Sequence, residues 1–398
     1  MKYLSIQDLN LQNQRVLMRV DFNVPISATD TILDDTRIVQ TIPSIEYVLT
    51  QQGKLILLSH MGRPKGKRNQ HLSLAPCAKR LADLIGKPVA LAPDCIGPDV
   101  KSMIDHMKPG EVLLLENLRF HRGEEHPEAD SSFAKKLAEL GDCYINDAFG
   151  AAHRNHSSIV LLPTYFVGKS AIGFLMEKEL SSLSPLILSP KRPFHLLIGG
   201  AKINTKIGVL TALLEKIDCV YLGGGIVFTF LKAQKHTIGG SLYEEKYLSE
   251  AKEFLKKCSE RMIQIYFPKD FVVTTDISSG KDSKIVPLEK IEEGWSGVDI
   301  GPKTIEYWLP NLSKASTIFW NGPMGIFEIA PFSQGTKDLA KGLSTLQSTI
   351  VVGGGDSVAA IHDLKLAKNF SHISTGGGAT LEFLRYGRLP GIEVLAIR

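Results

Sequence analysis

Cysteine is scarce in this sequence, with five among 398 residues: Cys77, Cys95, Cys143, Cys219 and Cys258. Their number is odd, they are scattered, and no C-x-x-C pair occurs. A disulfide framework and a cysteine zinc site are disfavoured, and a reducing compartment fits best. Charge of one sign is also missing. There are 46 Lys+Arg against 42 Asp+Glu, a net +4. That excess is small for the length, so a sequence-blind nucleic-acid binder is disfavoured, although a local basic patch is not. Long apolar runs are absent: stretches such as 219–231 are too short and glycine-rich to span a bilayer. The opening MKYLSIQDLN has no apolar signal core. The expectation is a soluble cytoplasmic protein with no membrane or nucleic-acid partner. Common catalytic signatures are missing too. No segment matches G-x-x-x-x-G-K-[ST], G-x-S-x-G or H-E-x-x-H. In the triple-glycine turns the third glycine of G-x-G-x-x-G would fall on Phe228, Val358 and Leu381, so the dinucleotide fingerprint fails.

Hydrophobic residues make up 43% and charged residues 22%, a globular balance. The length suits two or three domains. Short β-rich runs alternate with helical segments. The runs are Val16–Phe22, Lys54–Ser59, Val112–Leu115, Cys143–Ile145, Phe194–Ile198, Cys219–Leu222, Thr317–Trp320, Thr349–Val352 and His372–Ser374. Most are nearly continuous in Val, Ile, Leu and aromatics, as strands buried on both faces should be. Helices are expected over Pro76–Ile85, Phe133–Leu140 and Tyr247–Lys257. The alternation predicts α/β architecture with doubly wound parallel sheets, and nine strands divide better between two sheets than one. The best division lies between Gly168 and Arg192. There Phe174–Leu183 reads as a bridging helix, broken by Ser184-Pro185 and Ser189-Pro190. The expected domains are 1–172, a bridging segment 173–190, 191–385, and a segment 386–398 that packs back on the first.

Polar clusters follow the apolar runs, where open parallel sheets bind ligands. The first half offers Asp21, Asn23, His60, Arg63, Asn117, Arg119, Asp147, His153, Arg154 and His156, with Arg37 after a turn-like segment. Guanidiniums on different strand ends suit a small polyanion, because each holds a phosphate or carboxylate by two parallel hydrogen bonds. Any one of them alone would read as a surface ion pair. His153 and His156 find no carboxylate spacing that would complete a metal site. The second half offers glycine turns: Gly199-Gly200-Ala201-Lys202, Gly223-Gly224-Gly225, Gly353-Gly354-Gly355-Asp356 and Gly376-Gly377-Gly378. Glycine lets backbone N–H groups approach a phosphate, and a following helix N-terminus favours the anion. One such turn is ordinary βα geometry, whereas four together point to a nucleotide site. Asp356 is a candidate Mg²⁺ ligand, or a helix cap.

Long motifs then carry a resemblance. RVDFNVP (19–25), DDTRI (34–38), HMGRPKG (60–66), LLLENLRFH (113–121), NDAFGAAHRNHSS (146–158), GGAKINTKIGVL (199–210), LGGGIVFTFL (222–231), WNGPMGIFE (320–328), VVGGGDSVAA (351–360) and STGGGATLEFL (374–384) resemble the phosphoglycerate kinase family across essentially the whole chain. The resemblance implies two Rossmann-like domains facing across a cleft, in a hinge-bending monomer. It implies reversible phosphoryl transfer from 1,3-bisphosphoglycerate to ADP, giving 3-phosphoglycerate and ATP, with Mg²⁺. By motif position, Asp21, Asn23, Arg37, His60, Arg63, Arg119 and Arg154 correspond to the triose-phosphate side. Gly200, Lys202, Lys206, Gly224, Gly225, Gly297, Asn321, Ile326, Glu328, Gly353, Gly354, Gly355, Asp356 and Ser357 correspond to the nucleotide side, with Glu328 at the ribose and Asp356 at the metal–nucleotide. Arg37, Lys202, Gly376, Gly377 and Gly378 are the expected stabilisers of the transferring phosphoryl. The chain departs from the family pattern at Thr205, where many members carry Asp, and at Ile226, Val227 and Met324, which are apolar exchanges. A dehydrogenase, a non-catalytic phosphometabolite clamp and a nucleic-acid role for the basic residues are the competing readings.

Overall fold

The structure is a computed structural model and describes residues 2–397 apart from Ala28, Ser279 and Lys281. The chain divides into two compact units, Met1–Ser181 with Arg388–Arg398, and Ser182–Gly387. The first unit is built on strands β1 (Arg15–Arg19), β2 (Lys54–Leu58), β3 (Val89–Leu91), β4 (Val112–Leu114), β5 (Cys143–Asn146) and β6 (Ser170–Ile172). They form one parallel sheet in the order β3-β4-β2-β1-β5-β6. The second unit has β7 (Phe194–Ile198), β8 (Cys219–Leu222), β9 (Gln264–Tyr266), β10 (Phe271–Thr274), β11 (Ser283–Val286), β12 (Ser296–Ile300), β13 (Thr317–Asn321), β14 (Thr349–Gly353) and β15 (His372–Ile373). Its parallel sheet runs β15-β14-β13-β7-β8-β9, and β11-β10-β12 make a small antiparallel sheet.

Both parallel sheets reverse direction about their first strand. From β1 the chain moves outward to β2, then returns to place β5 on the other side. From β7 it moves to β8, then returns to place β13 opposite. Those switch points, between β1 and β5 and between β7 and β13, are where an open α/β sheet leaves a crevice beyond its strand ends. The central strands earn their unbroken apolar sequences by burial: β7 and β13 are buried at every position. Trp308, Trp320 and Tyr221 anchor the core of the second unit, and all three are fully buried.

Three expectations need correction. The run Val16–Phe22 does not stay in the sheet beyond Arg19. Val20 still donates to Leu58, but the Phe22 N–H turns to the Ser59 hydroxyl, so Asp21 leaves the ladder. The helix at Phe174 is not broken at Ser184-Pro185 but runs to Leu188, with Pro185 inside it. Proline removes one donor only, so the Ser181 carbonyl lacks its i+4 partner, and the division between the units falls at that residue. Finally, there are more strands than the nine expected: β3, β6 and β9 to β12 were not anticipated. Most of these are short or partly exposed, so their apolar runs are brief or broken.

Candidate active site

The first unit gathers a basic cluster at the ends of β1, β2, β4 and β5. Its centre is Arg19, the last residue of β1 and fully buried. Arg19 Nε donates to Ser158 Oγ at 2.9 Å, Nη1 donates to the Val20 carbonyl, and Nη2 lies 3.1 Å from His60 Nδ1. Glu124, also fully buried, balances this cation at 3.9 Å and accepts from Ser158 N–H and Oγ at 3.0 and 2.6 Å. A guanidinium has no acceptor. His60 Nδ1 is therefore the acceptor, and the ring proton sits on Nε2. Burial and then the Arg19 and Arg119 charges hold the His60 imidazole well below its usual pKa, so it is a neutral N–H donor.

Around that core several of the predicted residues are tied in by hydrogen bonds and ion pairs. Arg37, in the first turn of the helix Thr36–Thr50, pairs with Asp21 at 3.2 Å and donates to the Asn23 carbonyl at 2.9 Å. Asn23 Oδ1 accepts from Gly62 N–H at 2.9 Å, tying the ends of β1 and β2 together. Arg119 donates to the Gly62 carbonyl at 2.7 Å and pairs with Glu125 at 3.1 Å. Asn117 positions it, accepting from Arg119 N–H at 3.1 Å and donating to the Met61 and Leu72 carbonyls at 2.8 Å each. His153 and His156 are pushed down to about 4 and about 3, first by burial, then chiefly by Arg154 and Arg119 respectively. Arg154 itself is exposed, and so is Arg63, which takes no part in the described hydrogen bonds of the cluster. Arg19, Glu124 and Ser158 were missed as site residues. A lone Arg inside an apolar strand and an acid in a charged stretch carry no local signature of pairing.

The second unit gathers its glycine turns at the switch between β7 and β13. Gly199 N–H donates to Asn321, Gly200 N–H to the Pro323 carbonyl at 2.8 Å, and Gly224 N–H to the Met324 carbonyl at 3.1 Å. Gly224 is indispensable in this arrangement: its φ is +60°, and a Cβ there would sit 2.6 Å from Gly200 N. Three helices then start with glycine N-caps: Ile226–Ala233 after Gly225, Gly355–Asp363 after Gly354, and Gly378–Tyr386 after Gly377. Each turns the positive end of its dipole toward the strand ends, although the first-turn N–H groups of Ile226–Ala233 are already taken, Ile226 N–H by the Gly200 carbonyl at 3.0 Å. A Cβ at Gly355 or Gly377 would meet nothing within 4 Å, so both face open space.

Charged residues border these turns. Lys206 Nζ donates to Asn321 Oδ1, while Asn321 Nδ2 is buried without a partner. Burial lowers Lys206 to about 8 against the opposing pull of Asp356. Desolvation and the Glu328 carboxylate push Asp356 up, and Lys206 opposes them. Lys202 is exposed, on a loop held by Glu244, whose carboxylate accepts from Ile203 N–H at 2.6 Å. Ser357 is buried, and its hydroxyl accepts from Gly322 N–H at 2.8 Å, which gives it a structural task. Ile326 is half-buried and donates to Val298 at 2.9 Å. Gly297 makes room for the Phe228 ring, whose Cζ would lie 2.1 Å from an added Cβ. Gly353 sits with Gly354 beside the Asn321 amide. Asp356 offers a hard carboxylate oxygen, the donor type that a magnesium ion takes, next to open space at Gly355.

The family described as Phosphoglycerate kinase matches residues 6–386. A phosphoglycerate kinase of Chlamydia muridarum is 47% identical over 400 residues, covering 100% of this chain and 99% of that protein. One from Dictyoglomus turgidum is 49% identical over 393 residues, covering 98% of each. Among solved structures, the phosphoglycerate kinase of Coxiella burnetii has a TM-score of 0.86 at 37% identity, with 99% of each chain covered. That of Pyrococcus horikoshii has a TM-score of 0.86 at 31% identity, with 98% of each covered.

Proposed function

The chain belongs to the phosphoglycerate kinase family, so it is a kinase that moves a phosphoryl group reversibly between 1,3-bisphosphoglycerate and ADP in glycolysis, and we propose how its residues divide that work. Arg37, His60, Arg63, Arg119 and Arg154, with Asp21 and Asn23, bind the phosphoglycerate. The neutral His60, fixed by Arg19, gives the anion a directed N–H without needing to titrate. The glycine N-capped helices with Lys202, Lys206, Asn321 and Glu328 bind the nucleotide. Asp356 would hold Mg²⁺, which when bound neutralises phosphate charge. The protein acts in the cytoplasm as a monomer. These assignments draw support from the electropositive cluster in one unit and the nest of helix N-termini in the other.

The nucleophile of the ATP-consuming direction is the carboxylate of 3-phosphoglycerate, ionised at neutral pH. No general base is needed, and neither cluster holds a nucleophile–base pair among the described residues. Catalysis is then positioning plus charge stabilisation of the phosphoryl in flight. Arg37 and Lys202 neutralise that charge, together with the N–H groups after Gly376-Gly377-Gly378. Transfer also requires that water, a competing acceptor, be kept from the phosphoryl group.

The observation that carries the reading is the buried Arg19–His60–Glu124 network beneath the exposed arginines. The test is ATP consumption with 3-phosphoglycerate and Mg²⁺, the acyl phosphate drawn off by an NADH-linked dehydrogenase. Arg37→Ala and Lys202→Ala should each lower kcat by roughly 10²–10⁴. Less than about threefold in both would remove them from the mechanism, and binding of both substrates without turnover would mark a clamp instead.

A further inference from the structure

The N-terminal unit carries a second cluster that phosphoryl transfer does not use. Asp94 and Cys95 lie in the loop after β3, and His121 follows the short turn Leu118–Phe120. One carboxylate oxygen, the Cys95 Sγ and one imidazole nitrogen all lie within 4.8 Å of one another. His121 Nε2 is 2.6 Å from Asp94 Oδ1, and the Cys95 N–H donates to that same oxygen at 2.6 Å. Cys95 is a free thiol and fully buried, whereas the His121 and Asp94 side chains are 28% and 38% exposed. The cluster is therefore closed on the thiol side and open on the other, which leaves an entry path.

We propose that Asp94, Cys95 and His121 form a Zn²⁺ site, with water as the fourth ligand. Sulfur, nitrogen and oxygen donors in one small cluster are the set that a borderline-soft cation prefers. The charge balances: thiolate and carboxylate together neutralise the dication. On binding, the thiol releases one proton to solvent. The neutral imidazole moves its proton from Nε2 to Nδ1, freeing the Nε2 lone pair. A tetrahedral zinc with bonds of about 2.0–2.3 Å requires its ligand atoms about 3.3–3.6 Å apart. The His121–Asp94 contact must open by under about 1 Å, and the Sγ must draw in by a little over that at most. The supporting contacts resemble those of metal sites. The His121 ring stacks on Phe133 at 5.2 Å and 21°, which holds its plane, and the Cys95 N–H fixes the carboxylate. Magnesium, a hard cation that wants six oxygens, does not fit this set. The ligands come from two loops 27 residues apart at their nearest hydrogen bond, so no short spacing in the sequence reveals them.

The test uses the untagged full-length chain and Co²⁺ as a spectroscopic probe for zinc. One equivalent should bind, giving tetrahedral visible bands and a near-ultraviolet thiolate-to-cobalt band. Zn²⁺ should displace it, and excess Mg²⁺ should not. Cys95→Ser should lose the thiolate band. His121→Gln, at a partly exposed position, should keep the parent's circular dichroism and weaken Zn²⁺ by at least about tenfold. A thiolate band that survives in Cys95→Ser, displacement by Mg²⁺, or the absence of a thiolate band in the parent would each overturn the site and leave Asp94–His121 as a plain hydrogen-bonded pair.

Discussion

At the residue scale the site depends on groups kept in one protonation state by their neighbours. His60 is the sharpest case, because a buried arginine dictates its tautomer. Nitrogen-15 spectra of the histidines should show His60 as the neutral Nε2–H form throughout the range in which an ordinary imidazole titrates. A protonated Nδ1 there would refute the Arg19 argument. Substitution gives a second check. His60→Gln can present an amide N–H near the Nε2 position, whereas His60→Asn cannot reach it. A hydrogen bond to a charged partner contributes about 1.5–3 kcal/mol, so the Asn variant should raise the KM for 3-phosphoglycerate roughly ten- to hundredfold more than Gln. Lys206 makes the complementary prediction. Its ammonium is lowered to about 8 by burial, so the cation is lost as pH rises through that value. The kcat/KM for ATP, which reports the free enzyme, should fall above pH 8. Lys206→Arg, which stays charged, should remove that limb; an unchanged profile in the variant would assign it elsewhere.

At the element scale, strand ends and helix starts do the positioning, and this is also where sequence reading succeeded and failed. The strands β1, β2, β4, β5, β7, β8, β13 and β14 were legible because two-sided burial writes a nearly unbroken apolar run. The strands β9 and β11 were not, since their positions are largely exposed or half-exposed. The glycine turns and strand-end arginines were legible as chemistry. Arg19 was hidden because it looks like any polar residue closing a strand, and its partner Glu124 lies far along the chain. Asp147 was visible, but its task was not. It follows β5, and its Oδ1 accepts from Met176 N–H at 3.0 Å, in the first turn of the helix Phe174–Leu188. Gly173 is required beside it, since a Cβ there would lie 2.4 Å from that oxygen. Burial pushes Asp147 up to about 7. A raised acid favours the folded state when protonated, so its contribution is complete below about pH 4 and is lost as pH rises through 7. The melting temperature of Asp147→Asn should accordingly fall less than the parent's between pH 5 and pH 8. Asp299, buried and also pushed up to about 7, gives both proteins the same background slope. Parallel pH profiles would show that Asp147 does not couple protonation to folding.

At the scale of the whole molecule, the chain passes between its units twice, inside the helix Phe174–Leu188 and again at Gly387–Arg388. The final segment completes the first unit rather than trailing from the second. Gly391 N–H donates to the Ala152 carbonyl at 2.9 Å, Asn146 Nδ2 donates to the Gly391 carbonyl at 3.1 Å, and Ile397 N–H donates to the Lys2 carbonyl at 2.9 Å. Leu389, Ile392 and Leu395 are buried there. Ala152 immediately precedes His153 and Arg154, so the segment braces the loop that carries part of the phosphoglycerate side. Truncating a buried Ile to Ala typically costs about 2–5 kcal/mol. Ile392→Ala should therefore lower the unfolding transition of the first unit by several degrees while leaving that of Ser182–Gly387 in place, as resolved by calorimetry. The same variant should raise the KM for 3-phosphoglycerate and leave the KM for ATP unchanged, because the nucleotide groups belong to the other unit. A uniform shift of both transitions, or a rise in the ATP KM alone, would mean that the segment stabilises the chain as a whole instead of bracing the His153–Arg154 loop.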